Sequence, residues 1–357
     1  MKRRGSFAIL LLVLTLPVEA WSQVAREPLP RVRLIATGGT ISNQPSGRLT
    51  APQLVASIPA IEKQAQVETE QFSNIASTEL TAADWLRLAN RINQLFAERN
   101  DLAGIVVTSG TDTLEETAYF LHLTVKSDRP VVLVGAMRPP QLPGADGPAN
   151  LLDACRVAVF QAARGKGTLV VMNNEIYSAR DVTKTDTVRS DAFQAGRYGA
   201  LGAVDDERVT FWRTPMSKHT EAATFDVSAV TALPRIDVVV THFDAPGDLI
   251  QAAVDAGARG IVVAGAGEGN VSPAQADAIA RATRRRVPIV VSSRTGGGRV
   301  GASALARLRA IVREGDVDGT FLIAAEDLAP MKARVLLMLA LTRPEGASGL
   351  QQIFREY

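Results

Sequence analysis

The chain has 357 residues, of which 46% are hydrophobic and 21% charged, and its formal net charge is +2. This composition is that of a globular protein, and the length allows two domains around sizeable cores. The densest basic run, residues 284–286, is short and ends a helical pattern, so no nucleic-acid partner is expected. Cys155 is the only cysteine, which excludes a disulfide within the chain, and its apolar neighbours at helical spacing predict an inert core residue.

The first twenty residues predict a cleavable secretion signal. Three basic residues, 2–4, precede an apolar run over residues 7–16 and then Val18, Glu19 and Ala20. That run is too short to span a membrane. Removing residues 1–20 takes away three basic side chains and one acidic side chain, which brings the formal charge from +2 to 0. We therefore expect a periplasmic or secreted protein with no membrane segment in its mature form.

Beyond the signal, short β-branched runs alternate with helical patterns, as in a parallel α/β sheet flanked by helices. Thr81 is placed to cap the first long helix, and Pro148 lies in the first turn of the third. The predicted strands are residues 32–36, 104–108, 130–134 and 167–172. The predicted helices are residues 84–97, 114–125 and 149–163.

A polar segment at residues 213–220, which has little to bury, interrupts this alternation and predicts a linker over residues 213–233. Residues 30–212 then form a larger N-terminal α/β domain, and residues 234–357 form a smaller C-terminal α/β domain. In the second domain Ser272 is a helix cap, with Gln275 completing a capping box. The predicted elements there are strands at 236–241, 260–264, 288–292 and 320–324 and a helix at 274–285.

Two threonine-rich turns follow predicted strands, at residues 37–40 and 110–113. Glycines 38 and 39 allow a sharp turn that exposes backbone N–H groups and projects the Thr40 hydroxyl, so Thr40 is a candidate nucleophile. Thr111 and Asp112 lie at the start of a predicted helix. Because ligands bind at the carboxyl ends of strands in open parallel sheets, these turns are expected to converge on one site. The alternative is an ordinary tight turn before a helix.

A fourth candidate is Lys184, in the polar stretch 180–187 that follows the strand at 167–172. A lone lysine on a loop is commonly a solvated surface charge. Here threonines and aspartates flank it, which favours a partnered, partly buried position. Burial disfavours the ammonium and a nearby carboxylate favours it, a balance that would let Lys184 accept a proton from a threonine hydroxyl.

Three segments, residues 35–41, 108–119 and 180–185, resemble the signatures of bacterial type II L-asparaginases. The likeness runs from about residue 31 to residue 357. It also includes residues 135–139, 145–148, 218–220 and 332–337.

The resemblance implies that Thr40 attacks the side-chain amide of asparagine, giving an acyl-enzyme that water hydrolyses to aspartate and ammonia. Thr111, Asp112 and Lys184 would support it. The implied substrate-binding residues are Gly39, Ser77, Thr78, Gly110, Asp112 and Ala145. Ser77 would hold the α-carboxylate and Asp112 the α-amino group, with backbone N–H groups near Thr40 and Ala145 facing the oxyanion. The family uses no metal or organic cofactor and is typically a homotetramer whose sites a neighbouring subunit completes.

The chain departs from the family pattern at three places. The mobile loop after the first motif has no tyrosine, since the first tyrosine is Tyr119. Thr78 stands where relatives have glutamine or glutamate. No acidic residue occurs in residues 294–313, where relatives donate one across the subunit interface, and Glu268 is a candidate substitute. The preference for asparagine over glutamine, or acceptance of both amides, therefore stays open.

Two other function classes fit parts of the sequence. A secreted solute-binding protein would also have a signal, two α/β domains and a polar linker, but it needs no activated hydroxyl beside a lysine. The glycines within residues 265–269 suggest a dinucleotide site, although the third glycine and the following acid of that motif are missing. Three histidines, His122, His219 and His242, lack metal-ligand spacing and are expected to be surface or satisfied core residues.

Overall fold

The computed structural model describes residues 28–312 and 317–357, so the predicted signal at residues 1–20 lies outside the described residues. Within them the chain forms sixteen strands and nine α-helices. The strands are β1 Arg31–Gly38, β2 Asn43–Gln44, β3 Gly47–Arg48, β4 Gln66–Ile75, β5 Leu102–Thr108, β6 Val131–Val134, β7 Thr168–Met172, β8 Glu175–Ser178, β9 Thr183–Lys184, β10 Phe193–Gln194, β11 Gly202–Val204, β12 Val209–Phe211, β13 Ile236–Val240, β14 Gly260–Gly265, β15 Ile289–Ser293 and β16 Leu322–Ala324. The helices are α1 Ala51–Ala56, α2 Ala82–Glu98, α3 Leu114–Thr124, α4 Gly147–Val159, α5 Asp248–Asp255, α6 Pro273–Arg284, α7 Ala302–Ile311, α8 Pro330–Ala340 and α9 Leu350–Glu356.

The larger N-terminal domain is built on an eight-stranded sheet in the order β12-β11-β8-β7-β6-β5-β1-β4. Strands β1, β5, β6 and β7 are parallel, as predicted, and β4 adds a fifth parallel strand, while β8, β11 and β12 form an antiparallel extension. Strand β4 was missed by the sequence because it is an edge strand whose side chains are only partly buried. Its sequence therefore lacks the continuous apolar run of a central parallel strand.

Alternate side chains of the central strands face two helical layers, as the pleat of a strand requires. Ile35, Ile105 and Val107 pack with α2 and α3 on one face. Leu34 and Val106 pack with α1 and α4 on the other. The carboxyl ends of these strands lie between the two layers, and the loops that follow them carry the candidate site residues.

The smaller C-terminal domain has a four-stranded parallel sheet in the order β13-β14-β15-β16, which confirms the predicted alternation. Helices α5, α6 and α7 cover one face of this sheet. Helix α8 covers the other face and also contacts α3 of the larger domain. Since α8 packs on elements of both domains, it carries C-terminal side chains to the edge of the N-terminal site.

The predicted linker is more buried than the sequence suggested. Ala223, Phe225 and Val227 lie in the main core, with 5%, 2% and 1% of their surface exposed. The Phe225 ring packs against that of Tyr357, with centroids 5.0 Å apart. The second half of the predicted linker is therefore part of the core, because apolar side chains at every second residue point inward, whereas residues 213–219 remain exposed or half-buried.

The helix ends agree with the capping signals in most respects. The Thr81 hydroxyl accepts a hydrogen bond from the Asp84 N–H at 3.3 Å, and the Ser272 hydroxyl accepts one from the Gln275 N–H at 3.1 Å. The Gln275 side chain does not complete the predicted capping box, because it accepts from the Thr241 hydroxyl at 3.0 Å instead. Helix α4 ends at Val159, and residues 161–163 form a separate turn.

Candidate active site

The turn after β1 is shaped by close backbone packing. Gly38 has φ 109° and Gly39 has φ 85°, in the region that L side chains rarely adopt. A Cβ on Gly38 would lie 2.4 Å from the Ile75 carbonyl oxygen, and one on Gly39 would lie 2.3 Å from the Gly110 Cα. Both positions therefore require glycine. Thr40, partly exposed, follows at the start of a 3-10 turn.

Hydrogen bonds join the ends of the neighbouring strands beneath Thr40. The buried Thr37 hydroxyl donates to the Thr108 carbonyl at 2.8 Å, which ties β1 to β5. The Ser73 hydroxyl donates to the Thr37 carbonyl at 2.8 Å, and the Gly39 N–H donates to Ile75 at 3.1 Å, which ties β1 to β4. Thr40 thus projects from a base that is fixed on both sides.

Lys184 is brought to the turn after β5. Its Nζ donates to the Thr111 hydroxyl at 2.9 Å and to the Asp112 carboxylate at 2.7 Å. The side chain of Lys184 is 17% exposed, whereas that of Asp112 is 66% exposed. Lys184 also lies in a short antiparallel ladder, opposite Phe193. It is therefore partnered and partly buried, and the alternative of a solvated surface lysine is wrong.

Ser77 closes the third side of the same region. It is 4% exposed, and a Cβ on Gly110 would lie 2.9 Å from its hydroxyl oxygen. The Thr113 hydroxyl donates to the Ser77 carbonyl at 2.9 Å. Because Gly110 also packs against Gly39, the turns after β1, β4 and β5 meet at one place. Thr78, the next residue, is exposed.

The loop between β6 and α4 forms the remaining wall. The Asp146 carboxylate accepts hydrogen bonds from the N–H groups of Met137 and Arg138, at 2.9 and 2.8 Å. The N–H of Ala145 donates to the Leu142 carbonyl at 3.1 Å. That donor is committed to a turn, so the expectation that it faces an oxyanion is wrong for this N–H.

Asn150, on α4, is a residue that the sequence did not single out. Its Nδ2 donates to the Gly135 carbonyl and to Asp146, each at 3.1 Å, and its Oδ1 accepts from the Asn173 N–H at 2.9 Å. Only 2% of Asn150 is exposed. It therefore links the loops after β6 and β7 from inside the core. The signal for it was a lone amide within the apolar pattern of α4, one turn after Asp146.

Arg180 connects the segment before Lys184 to the C-terminal domain. Its guanidinium makes two hydrogen bonds to the Asp327 carboxylate, at 2.7 and 3.2 Å. Burial of Asp327 acts to raise the pKa of its carboxyl, but the hydrogen bonds and charge of Arg180, together with the Tyr198 hydroxyl, hold that pKa below its usual value. Tyr198 also donates to Asp327. The pair fixes the start of the stretch that leads to Lys184.

Glu268, considered from sequence as the substitute for the missing interfacial acid, is engaged within its own chain. The guanidinium of Arg307 lies 2.7 Å from its carboxylate and the Ser303 hydroxyl 3.1 Å away. The bonds from Arg307 and Ser303 hold the pKa of Glu268 below its usual value. A role toward another subunit would require this carboxylate to exchange partners.

The histidines differ from one another in burial. His122 is fully buried, and its Nδ1 accepts the Thr168 N–H at 3.2 Å, while its Nε2 has no hydrogen-bond partner among the described residues. It is therefore not the satisfied core histidine that the sequence suggested. Burial, and secondarily the nearby His219 ring, hold the pKa of His122 well below its usual value. His242 is exposed.

Cys155 is buried, and burial raises the pKa of its thiol to about 12, which makes it unreactive. Over residues 28–312 and 317–357, no group of three or more His, Cys, Asp or Glu side chains is arranged to hold a metal ion. No helix in the same part of the chain combines the length and apolarity needed to cross a membrane.

Comparison with known proteins gives two family matches that together cover most of the chain. Residues 31–217 match the family model "Asparaginase, N-terminal", and residues 235–354 match "Glutaminase/Asparaginase C-terminal domain".

Individual relatives are similar along nearly the whole length. The L-asparaginase 2 of Bacillus subtilis is 41% identical over 96% of this chain and 91% of its own. A Haemophilus influenzae protein named "Probable L-asparaginase periplasmic" is 41% identical over 92% of this chain and 93% of its own. A crystal structure titled "Probable Cytoplasmic L-asparaginase" from Campylobacter jejuni superposes with a TM-score of 0.82 at 41% identity, covering 92% of this chain and all of that one. The chain belongs to the asparaginase family.

Proposed function

We propose that this protein hydrolyses L-asparagine to L-aspartate and ammonia. The observation that carries the proposal is the contact of Lys184 with Thr111 and Asp112, beside the turn that presents Thr40. A lysine bonded to a hydroxyl and a carboxylate is suited to proton transfer, and the adjacent threonine supplies a nucleophile. Relatives named L-asparaginase at 41% identity support the choice of substrate.

The reaction proceeds in two halves. In the first, the Thr40 oxygen bonds to the side-chain carboxamide carbon, the carbon–nitrogen bond breaks, and ammonia leaves. The proton released by the Thr40 hydroxyl reaches the departing nitrogen by way of Thr111 and Lys184. In the second, water attacks the resulting ester, releasing aspartate and restoring the Thr40 hydroxyl. Lys184 is held within hydrogen-bond distance of Thr111 before substrate arrives, which avoids an ordering step during the reaction.

The same turns provide the groups that would hold the amino acid. The Asp112 carboxylate is two-thirds exposed although it touches Lys184, so it can also accept the α-ammonium group. Ser77, at the junction of three turns, takes the α-carboxylate in this proposal. Gly39, Gly110, Thr78 and Ala145 complete the lining of the site. The reaction needs no cofactor.

A second candidate, a glutaminase-asparaginase, is supported by the C-terminal family match, whose description names both enzymes. Glutamine is longer by one methylene, and a pocket discriminates such a difference by only about 1–3 kcal/mol. The turn after Thr40 forms the short hairpin β2–β3 and carries no tyrosine, and Thr78 is exposed. At both places the chain departs from the family pattern, so glutamine is tested beside asparagine. A solute-binding protein would release no ammonia from either amino acid.

We propose that the mature protein begins after residue 20 and is periplasmic or secreted, as the N-terminal pattern and the name of the Haemophilus relative support. We also propose the domain division at 30–212, 213–233 and 234–357, which the family matches at residues 31–217 and 235–354 support. A homotetramer is supported by large apolar side chains left exposed on the single chain. Examples are Phe243, Met216 and Trp212, at 98%, 96% and 61% exposure. Light scattering of the mature protein tests the assembly.

The central experiment measures ammonia release by the mature protein with asparagine and glutamine in parallel. Saturable release from asparagine is expected, and the ratio of the two kcat/KM values decides between the two candidates. Thr40→Ala should abolish ammonia release while the protein stays folded. The control Ser46→Ala removes an exposed hydroxyl from the nearby β2–β3 hairpin and should leave ammonia release unchanged. Acid quenching during turnover followed by peptide mapping should place the acyl group on Thr40. Wild-type turnover in folded Thr40→Ala, or an acyl group on Thr111, would refute the nucleophile assignment.

A further inference from the structure

Lys332, on α8, is a buried lysine that the proposed reaction does not use. Only 1% of the residue is exposed. Its Nζ donates to the carbonyl oxygens of Ala179, Arg180 and Val182, at 2.6, 3.2 and 2.6 Å. An ammonium group has three N–H donors, so these three carbonyls account for all of them. The contact crosses from the C-terminal domain to the N-terminal domain.

The three carbonyls belong to the short connection between β8 and β9, which leads directly to Lys184. In this connection the N–H groups of Asp181 and Val182 both donate to the Ser178 carbonyl, at 3.1 Å each. The carbonyl oxygens of Ala179, Arg180 and Val182 converge on one position, where their dipoles repel one another. A cation at that place turns the repulsion into attraction, and thereby holds the bend.

The other side of Lys332 faces α3, the helix that begins just after Thr111 and Asp112. The ring of Tyr119 lies 5.7 Å from its Nζ. Burial lowers the pKa of Lys332 to about 8, while the charges of Glu115, Asp181 and Glu116 raise it and that of Arg180 lowers it further. Lys332 is therefore situated between the helix that presents Thr111 and the segment that presents Lys184.

We propose that Lys332 is a positioning residue for the proposed active site, fixing the backbone of residues 179–182 so that Lys184 reaches Thr111 and Asp112. The inference rests on the proposed function, because it assigns Lys332 a part in catalysis through Lys184. Lys332 itself contacts backbone carbonyls and takes no part in bond making. Its loss would shift Lys184 relative to Thr111 without removing a group that binds the substrate.

The test compares steady-state kinetics of the mature wild type with Lys332→Gln and Lys332→Met. A displacement of Lys184 of about 1 Å should lower kcat about 10- to 100-fold, with KM changed by less than about threefold. Hydrogen exchange of the amides in residues 179–185 should rise in parallel. The control is Leu339→Ala, a buried truncation on the same helix, which lowers stability but should leave kcat at the wild-type value below its melting range.

Lys332→Arg keeps a positive charge and N–H donors, and its kcat is the test if Lys332→Gln and Lys332→Met do not fold. Its planar fork cannot meet the same three carbonyls in the ammonium geometry, so a fall in kcat of about threefold or more is expected. A folded Lys332→Gln or Lys332→Arg with wild-type kcat would overturn the positioning role, as would an equal loss in Leu339→Ala. The absence of ammonia release from the wild type would instead overturn the proposed function.

Discussion

The backbone around Thr40 and the backbone around Lys184 are held in place by different forces. On the Thr40 side, residues 38–42, the chain is fixed by glycines that pack directly against the backbone of Ile75 and Gly110. On the Lys184 side, residues 179–184, it is fixed by the Lys332 ammonium and by the Arg180–Asp327 ion pair. The first kind of packing fails when an atom is added, and the second fails when a charge is removed.

The difference follows from where each segment begins. The Thr40 side continues a central strand, so its neighbours are other strand ends at fixed spacing. The Lys184 side follows β8 in the antiparallel part of the sheet and enters a separate two-stranded ladder, β9 and β10, whose strands are only two residues long. Side chains from the C-terminal domain therefore supply the contacts that a longer strand would have made.

The largest fall in kcat is expected when the Lys184 amine is removed. Lys184→Met removes the amine but keeps the length of the side chain, and kcat for ammonia release should fall by about 10²- to 10⁴-fold. Lys63→Met, at an exposed lysine, is the matched control and should behave as the wild type. Circular dichroism should show both variants folded. If Lys184→Met retained more than a tenth of the activity, the proposed proton transfer would be wrong.

A smaller loss is expected from adding one methyl group to the Thr40 side. In Gly39→Ala the new Cβ would lie 2.3 Å from the backbone of Gly110, so the turn must move. We expect kcat/KM to fall about 100-fold, because a displacement of about 1 Å at an active site can cost that much. Gly47→Ala shares the positive φ but has nothing within 4 Å, so it isolates the backbone strain from the close contact. Equal losses in the two variants would contradict steric fixation.

Asp153 can be compared with Lys332, because it is also a buried ionisable group but lacks the three close hydrogen-bond partners that Lys332 has. Arg156 is 3.5 Å away and Asn174 donates at 3.1 Å. Burial raises the pKa of Asp153 to about 6, against the opposing effect of Arg156. The folded-state pKa thus exceeds the unfolded value, so the stability that this group contributes is present below about pH 4 and is lost as the pH rises through 6.

Asp153→Asn should therefore increase the free energy of unfolding by about 2–3 kcal/mol at pH 7 and change it little at pH 4. Urea denaturation at the two pH values measures this difference. A variant that is less stable than the wild type at pH 7 would show that the pair with Arg156 outweighs the burial of the carboxylate.

The smallest effect is expected from removing one hydrogen bond on the Thr40 side, where glycine packing fixes the backbone. The buried Ser42 hydroxyl donates to the Gly39 carbonyl at 2.9 Å, but the Ser42 N–H donates to the same oxygen at 3.0 Å. Because Ser42→Ala leaves that second bond, the free energy of unfolding should fall by only about 0.5–1.5 kcal/mol. The kcat should not change. A tenfold loss of kcat would mean that the turn at residues 38–42 depends on the Ser42 side-chain hydrogen bond as well as on glycine packing.

The sequence alone determined the eight parallel strands β1, β5, β6, β7 and β13–β16, the four helices α2, α3, α4 and α6, the two domains and the positions of the threonine turns. Short apolar runs rich in β-branched residues identify buried parallel strands, and the glycines at 38 and 39 identify a turn that no other residue permits. These features are local, since periodicity and allowed backbone angles depend on neighbouring residues. The edge strand β4 was missed for the same reason, because half-buried polar residues leave no local signal.

Tertiary structure alone decided which groups meet at the site. Lys184 lies 73 positions from Thr111, and Lys332 lies 150 or more positions from the carbonyls that it binds. The Glu268–Arg307 pair joins residues 39 positions apart and has no local signature either. Such contacts depend on how whole sheets and helices pack. Residue types and short spacings indicate what chemistry a chain can carry, whereas packing decides which of those groups come within hydrogen-bond distance.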